Sequence, residues 1–323
     1  MCLLVRKNGK IMKKKNYKIS YVIPCYNSEA TIKEVVSEIV NTVKTYDSFI
    51  YEIILVNDFS LDGTYNTIKN LAKKNNNIKG ISLSMNFGQH SAIMTGLRYA
   101  TGDYIVCLDD DGQTPADRSI DLVKKLIDGF DVVYAKYNVK HHSFFRNFGS
   151  RVNSWMAESF INKPKDLYIS SYFACKRKIV ETIVQYTNPY PYIQGLILRS
   201  TKSITNIEVE HRDRLSGESN YNLTKLVKLF ANGFTAFSVK PLRAATYIGI
   251  LVGLFGFIYL LCILIGRAIG VIQVLGYSSI MAVTLLLGGL TLVVLGIIGE
   301  YIGRIYICIN KSPQAVVSEK INI

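Results

Sequence analysis

Ile19-Ser20-Tyr21-Val22-Ile23-Pro24-Cys25-Tyr26-Asn27-Ser28-Glu29 decides the fold. Ile19 to Pro24 is a short apolar run, the mark of a buried strand, and it breaks into polar residues at Tyr26 and Asn27. Beyond it, Ile32, Val35, Val36, Ile39 and Val43 recur at the spacing of an amphipathic helix. Together they predict one β-α unit. The pattern then repeats outward: strand Glu52 to Val56, helix Thr64 to Lys73, strand Ile78 to Leu83, helix Ser91 to Ala100, and strands Tyr104 to Leu108 and Asp131 to Ala135. Alternation of this kind predicts an α/β domain built on a mostly parallel, Rossmann-like sheet covered by helices. Ligands of such sheets bind beyond the carboxyl ends of the strands, where Pro24, Tyr26, Asn27, Asp58, Asp109, Asp110 and Asp111 all fall.

The most informative of these strand ends reads Leu108-Asp109-Asp110-Asp111-Gly112-Gln113. Strand alternation would direct Asp109 and Asp111 to one side. Paired carboxylates suit a hard cation, Mg²⁺ or Mn²⁺, which takes oxygen ligands and is commonly shared with substrate phosphates. A departing diphosphate gathers negative charge that such an ion stabilises. Taken alone, an acidic triplet is usually a solvated turn or a helix cap.

Past Lys240 the character of the chain changes. Ala244 to Ile265 carries no charge over about 33 Å of helix, and Tyr277 to Gly299 is of similar length, so two membrane spans are expected. Lys240, Arg243, Arg304 and Lys311 flank the pair, and Arg267 is the single charge between, which places both termini and the α/β domain in the cytoplasm. Leu223, Leu226, Val227 and Phe230, with Lys225 and Lys228 between them, predict an amphipathic helix just ahead of the membrane. The expected organisation is a basic extension over 1–17, the α/β domain over 18–221, a juxtamembrane segment over 222–243, a two-helix hairpin over 244–303 and a cytoplasmic tail over 304–323. Gly299 and Gly303 suit helix packing or a homo-oligomer. The net charge of +14 fits anionic lipid, and no zinc spacing or RNA-binding signature points to nucleic acid. Six scattered cysteines without a CxxC pair suggest neither a zinc site nor a disulfide framework.

Four ordered motifs now stand out: Val22 to Glu29; Ile54-Leu55-Val56-Asn57-Asp58-Phe59-Ser60-Leu61-Asp62-Gly63-Thr64; Asn86-Phe87-Gly88; and Gly102-Asp103-Tyr104 leading into the acidic run with Gln113. In these the chain resembles the family 2 glycosyltransferases of the GT-A fold. Within them it resembles polyprenyl-phosphate hexosyltransferases such as dolichol-phosphate mannose synthase and bactoprenol glucosyltransferases. The resemblance implies that Pro24, Tyr26, Glu29 and Asp58, with Asn27 and Asp110 beside them, hold the donor nucleotide. It implies that Asp109, Asp111 and Gln113 hold the metal and diphosphate. Asn57 stands where the family often has a second aspartate. Arg212 to Tyr221 looks like the family's Arg-x-x-Gly-x-Ser-x-Tyr segment, whose Arg212, Arg214 and Ser219 would meet acceptor phosphate, joined by Arg146 and Arg151. A charged surface loop is the alternative for both stretches.

Where bactoprenol glucosyltransferases often carry an acidic residue, this chain reads Ile169-Ser170-Ser171-Tyr172-Phe173-Ala174. A phosphate monoester, with a second pKa of about 6, is already an anionic nucleophile at neutral pH and needs orientation more than a base. Asp166 is the nearest carboxylate and the fallback base. The reaction expected is inverting transfer of a sugar, UDP-hexose by family analogy, to undecaprenyl phosphate. Two other readings are a processive polysaccharide synthase, for which the Gln-x-x-Arg-Trp motif is missing around the sole Trp155, and a catalytically silent nucleotide-binding scaffold.

Overall fold

The computed structural model describes residues 17–137, 163–164, 166–210, 240–269 and 276–323, together with a two-residue ladder pairing 6–7 with 10–11. The amphipathic segment expected over 222–243 lies outside the described residues up to 239. The chain forms two units, an α/β unit of residues 1–220 and 312–323 and a helical unit of residues 221–311.

In the α/β unit, β1 (Tyr17–Cys25), α1 (Ile32–Lys44), β2 (Phe49–Asn57), α2 (Thr64–Lys74), β3 (Ile78–Leu83), α3 (Gln89–Tyr99) and β4 (Tyr104–Cys107) alternate as expected. After them come α4 (Ser119–Ile127), β5 (Val132–Tyr137), β6 (Phe173–Lys176), α5 (Arg177–Ile183), α6 (Ile193–Ser200) and β7 (Ile204–Val209). The last strand, β8 (Val317–Ile321), follows the helical unit. The sheet order is β8-β3-β2-β1-β4-β6-β5-β7, in which β6 and β8 run against the other six strands. One expected boundary moves: β4 stops at Cys107, so the acidic run lies in the loop beyond it and strand alternation does not orient Asp109 and Asp111.

The apolar stripe of α1, Ile32, Val35, Val36, Ile39 and Val43, is buried in one cluster with Tyr21, Ile23, Ile53 and Leu55 of the central strands. Each such side chain contributes about 1.5–3 kcal/mol by leaving water. Helix α3 covers the other face. There a Cβ built on Gly96 would meet Val22 Cγ1 at 2.5 Å and Val56 Cγ2 at 3.1 Å, so the glycine is what lets the helix lie this close. Gly96→Ala is expected to destabilise the α/β unit by about 1–3 kcal/mol through overpacking, measured as a lowered urea midpoint with an unchanged slope.

β8 is polar, Val-Ser-Glu-Lys-Ile, and pairs antiparallel with β3 at the sheet edge. Ser318 Oγ donates to Ser82 O at 3.0 Å, Lys69 meets Glu319 at 2.9 Å, and Asn322 Nδ2 donates to Ala72 O and Ile78 O at 2.8 and 2.9 Å. The strand thus finishes the sheet and presents charge at its edge, which discourages edge-to-edge association.

The helical unit holds α7 (Lys240–Ala268) and α8 (Tyr277–Ile309). Within α8, Leu287–Ile309 is long and apolar enough to cross a membrane, with a mean hydropathy of 1.9 and none of its window buried. This window runs further than the expected end at Gly299, because Glu300 and Arg304 interrupt the apolar run without outweighing it. In α7 the described apolar stretch is the shorter Ala245–Tyr259.

Candidate active site

The strand order reverses at β1: β2 and β3 follow on one side of it and β4 on the other. The crevice at such a reversal is where open α/β sheets bind ligands. Here the loops after β1 and β4 meet across it. Tyr26 N–H donates to Asp110 Oδ2 at 3.0 Å, and Thr31 Oγ1 donates to the Asp110 carbonyl at 2.6 Å. Asp110 therefore joins the two loops, and burial pushes its carboxyl up while the Tyr26 bond opposes. Tyr26 itself is exposed, whereas Pro24 is buried inside β1.

A third loop, after β2, is built from the same motif residues. Asn27, at φ 54°, accepts from Leu61 N–H at 3.1 Å, and Glu29 Oε2 accepts from Gly63 N–H at 2.8 Å. Buried Asn57 accepts from Ser60 N–H and donates to Ser82 Oγ, closing the turn. Asp58 is 4 % exposed, and its two oxygens accept from Phe87 and Gly88 N–H at 2.8 and 2.9 Å. Burial raises the Asp58 carboxyl against the pull of those two amides. Its evident task is to fix the Asn86-Phe87-Gly88 turn from which α3 starts.

From that start Gln89 Nε2 donates to Asp109 Oδ1 at 2.8 Å, and Ser171 Oγ donates to Asp109 Oδ2 at 2.5 Å. Burial, with Asp111 and Asp110 adding to it, pushes the Asp109 carboxyl up to about 6 against the Ser171 and Gln89 bonds. Gly112 turns the loop at φ 75°, a left-handed conformation that glycine adopts without strain, and Gln113 N–H then donates to Asp111 Oδ1 at 3.0 Å. Nearby, burial raises the Tyr137 phenol, and the charges of Asp109 and Asp111 add to that.

The family model described as Glycosyl transferase family 2 matches residues 20–184, which contain this whole crevice. The chain belongs to glycosyl transferase family 2. A second model, the GtrB C-terminal hairpin, matches residues 240–305 of this glycosyltransferase. Among curated relatives, the undecaprenyl-phosphate 4-deoxy-4-formamido-L-arabinose transferase of Proteus mirabilis is 30 % identical over 95 % of this chain and 94 % of its own. The prophage bactoprenol glucosyl transferase homolog of Escherichia coli is 32 % identical over 93 % of this chain and 98 % of its own. Glucosyl-3-phosphoglycerate synthase from Mycobacterium tuberculosis, solved with Mn²⁺, UDP-glucose and phosphoglyceric acid, shares the fold. Its TM-score is 0.50 at 20 % identity, over 65 % of this chain and 74 % of that one.

The family 2 site fits a divalent cation on its own chemistry. Asp109 is a half-buried carboxylate whose hydrogen-bond partners, Gln89 and Ser171, are both neutral, and the neighbouring charges that act on it, Asp110 and Asp111, are negative. Among the described residues no three His, Cys, Asp or Glu side chains gather into a metal cage. Asp166 is exposed, and among the described residues no hydrogen bond joins it to the acidic run. Arg146, Arg151, Arg212, Arg214 and Ser219 lie outside the described residues. Gln89 and Ser171 were not singled out in the sequence. Ser171 occupies the very segment where an acidic residue was missing, and its hydroxyl donates to the acidic run at Asp109.

Proposed function

We propose that this glycosyltransferase moves a sugar from a nucleoside diphosphate donor, a UDP-hexose by family resemblance, to a polyprenyl phosphate at the cytoplasmic face of a membrane. The observation that carries the donor half is Asp109, half-buried at the strand-order reversal and held there by Gln89 and Ser171. Asp109, Asp111 and Gln113 would hold Mg²⁺ or Mn²⁺, which supplies charge neutralisation at the leaving diphosphate. Pro24, Tyr26, Asn27, Glu29 and Asp58 line or brace the loops that would receive the nucleotide. Asp110 assists by fixing Tyr26.

The acceptor half is supported by the relatives, whose names specify undecaprenyl phosphate and bactoprenol as the group they serve. Arg146, Arg151, Arg212, Arg214 and Ser219 are the residues proposed for its phosphate. The phosphate attacks the anomeric carbon as an anion opposite the leaving diphosphate, which inverts that centre; Asp166 is the reserve base.

Chain connectivity supports two membrane crossings. The chain leaves the α/β unit at 220 and rejoins it at 312, so the helical unit between must cross an even number of times. If α8 spans, α7 spans too, and both ends lie on the side of the catalytic unit. The exposed apolar side chains of both helices, among them Leu254, Phe255, Leu292 and Val293, suit lipid.

Transfer of radiolabel from a panel of UDP- and GDP-sugars to undecaprenyl phosphate, in membranes with and without EDTA, tests the proposal. Label in the lipid phase that vanishes with EDTA and in Asp111→Asn is expected. Label that persists in both would remove the metal site from the reaction, and absence of lipid label from every donor would sink the acceptor assignment.

A further inference from the structure

We propose that Gln314, on the segment returning from the apolar helices, is a positioning residue for the donor site and acts through helix α3. The inference rests on the proposed role of Asp109.

Gln314 is 5 % exposed, although it belongs to a segment whose sequence reads as a polar tail. Its side chain is saturated with contacts. Oε1 accepts from Arg98 Nη2 at 2.7 Å, and Nε2 donates to Asn188 O at 2.8 Å and to Tyr186 O at 3.4 Å. Arg98 stands in the last turn of α3, and Gln89, the partner of Asp109, is the first residue of the same helix. An eleven-residue helix is a rod about 16 Å long, so what fixes one end bears on the other.

The segment that Gln314 grips leads to the same place by a second route. Tyr186 and Asn188 precede Tyr192, which caps the start of α6 and meets the His90 ring edge-on at 5.3 Å. His90 is the neighbour of Gln89. Among the described residues its buried Nδ1 meets no hydrogen-bond partner, and the ring packs against Tyr192. Helix α3 and the 186–192 segment are therefore joined at both ends, through Arg98, Gln314 and Asn188 at one and through His90 and Tyr192 at the other. With Gln314 removed, the far end keeps the 3.5 Å bond from Arg98 Nη2 to Tyr186 O but loses the two shorter ones, at 2.7 and 2.8 Å, so the register of Gln89 on Asp109 is held less firmly. Misplacement of a catalytic group by about 1 Å can lower turnover on the order of 10²-fold, and partial loosening should be felt less.

The variant that tests this is Gln314→Met, close in length and without polar atoms. Asn322→Ala is the control, since Asn322 ties the same returning segment to Ala72 and Ile78 at the sheet edge, away from α3. In full-length protein, Gln314→Met is expected to lower kcat roughly ten-fold with donor KM changed less than about two-fold, because the nucleotide loops are untouched. Arg98→Met should match it, and the double variant should add little. Hydrogen–deuterium exchange of the 89–92 amides should quicken in Gln314→Met and stay unchanged in Asn322→Ala. Equal kcat losses in Gln314→Met and Asn322→Ala, or unaltered 89–92 exchange in Gln314→Met, would overturn the positioning role. Failure of the unmutated protein to transfer sugar would instead count against the proposed reaction, and the exchange measurement would still decide the role of Gln314.

Discussion

Asp109→Asn is expected to abolish sugar transfer and, in EDTA, to raise the melting temperature. The Asp109 carboxyl sits at about 6 in the fold against 3.8 in its ordinary state, through burial first and then the neighbouring aspartates. A raised carboxyl favours the protonated fold, so its stabilising contribution is complete below the unfolded value and is lost as pH rises through about 6. At pH 7.5 the ionised group weighs on the native state by about 2–3 kcal/mol. An amide accepts from Gln89 and donates to Ser171 without charge, and relief of that burden corresponds to a gain of roughly 5 °C. Turnover should fall by at least about 10²-fold, the scale of losing one charge-stabilising contact in a transition state. Mg²⁺ or Mn²⁺ should narrow the thermal gap by binding the unmutated native state. A lower melting temperature in EDTA would show that the buried charge is not a burden.

Glu52→Gln is expected to do the reverse, weakening the fold and sparing the chemistry. Glu52 is 3 % exposed and accepts from Ser20 Oγ at 2.5 Å and Thr101 N–H at 2.6 Å, while Lys18 and Lys79 approach at 2.9 and 3.0 Å. Burial works against its ionisation, but the Ser20, Lys18, Thr101 and Lys79 bonds outweigh it and hold the carboxyl at about 2. Its contribution is therefore present above about 4.5 and lost as pH falls through about 2. Substitution leaves two ammonium groups facing a neutral amide, a loss on the order of 3 kcal/mol. Urea unfolding at pH 7 measures it, and the deficit should shrink in acid as the unmutated glutamate itself protonates. Ser20 and Glu52 pair near the amino ends of β1 and β2, away from the crevice, so turnover per folded molecule should hold. Equal urea midpoints at pH 7 would show that the two lysines find other company.

The two carboxylates differ in how plainly the sequence announces them. Asp109 stands in an acidic run after an apolar strand, and its place follows from the order of elements alone. Glu52 looks like the polar start of a strand, and only the approach of Ser20, Lys79 and Thr101 from three other segments reveals its burden. The same distinction runs through the fold. β1 to β3 and their helices were legible because their apolar spacing is dictated by burial on a sheet covered on both faces. β8 was not, because Val317–Ile321 has a mostly exposed, polar face and is held by backbone pairing, which any side chains permit. β6, at four residues, is too short to show a period. Gln89 and Ser171 are neutral residues that become part of the site only by meeting Asp109 across 20 and 62 positions of chain. Local pattern carries no trace of such encounters.

The late position of β8 has a bearing on how the molecule is made. The other seven strands have all left the ribosome about a hundred residues before Val317 does. At a synthesis rate of about 5–20 residues per second, the nascent domain waits roughly 5–20 s with β3 as a bare edge. During that interval the segment that holds the two apolar helices emerges. The final strand can dock only once that segment has been made, so the α/β unit receives its last hydrogen-bonded strand after both helices have been synthesised. A chain cut short within the helical unit is therefore left with an open sheet edge at β3, a template for edge-to-edge association.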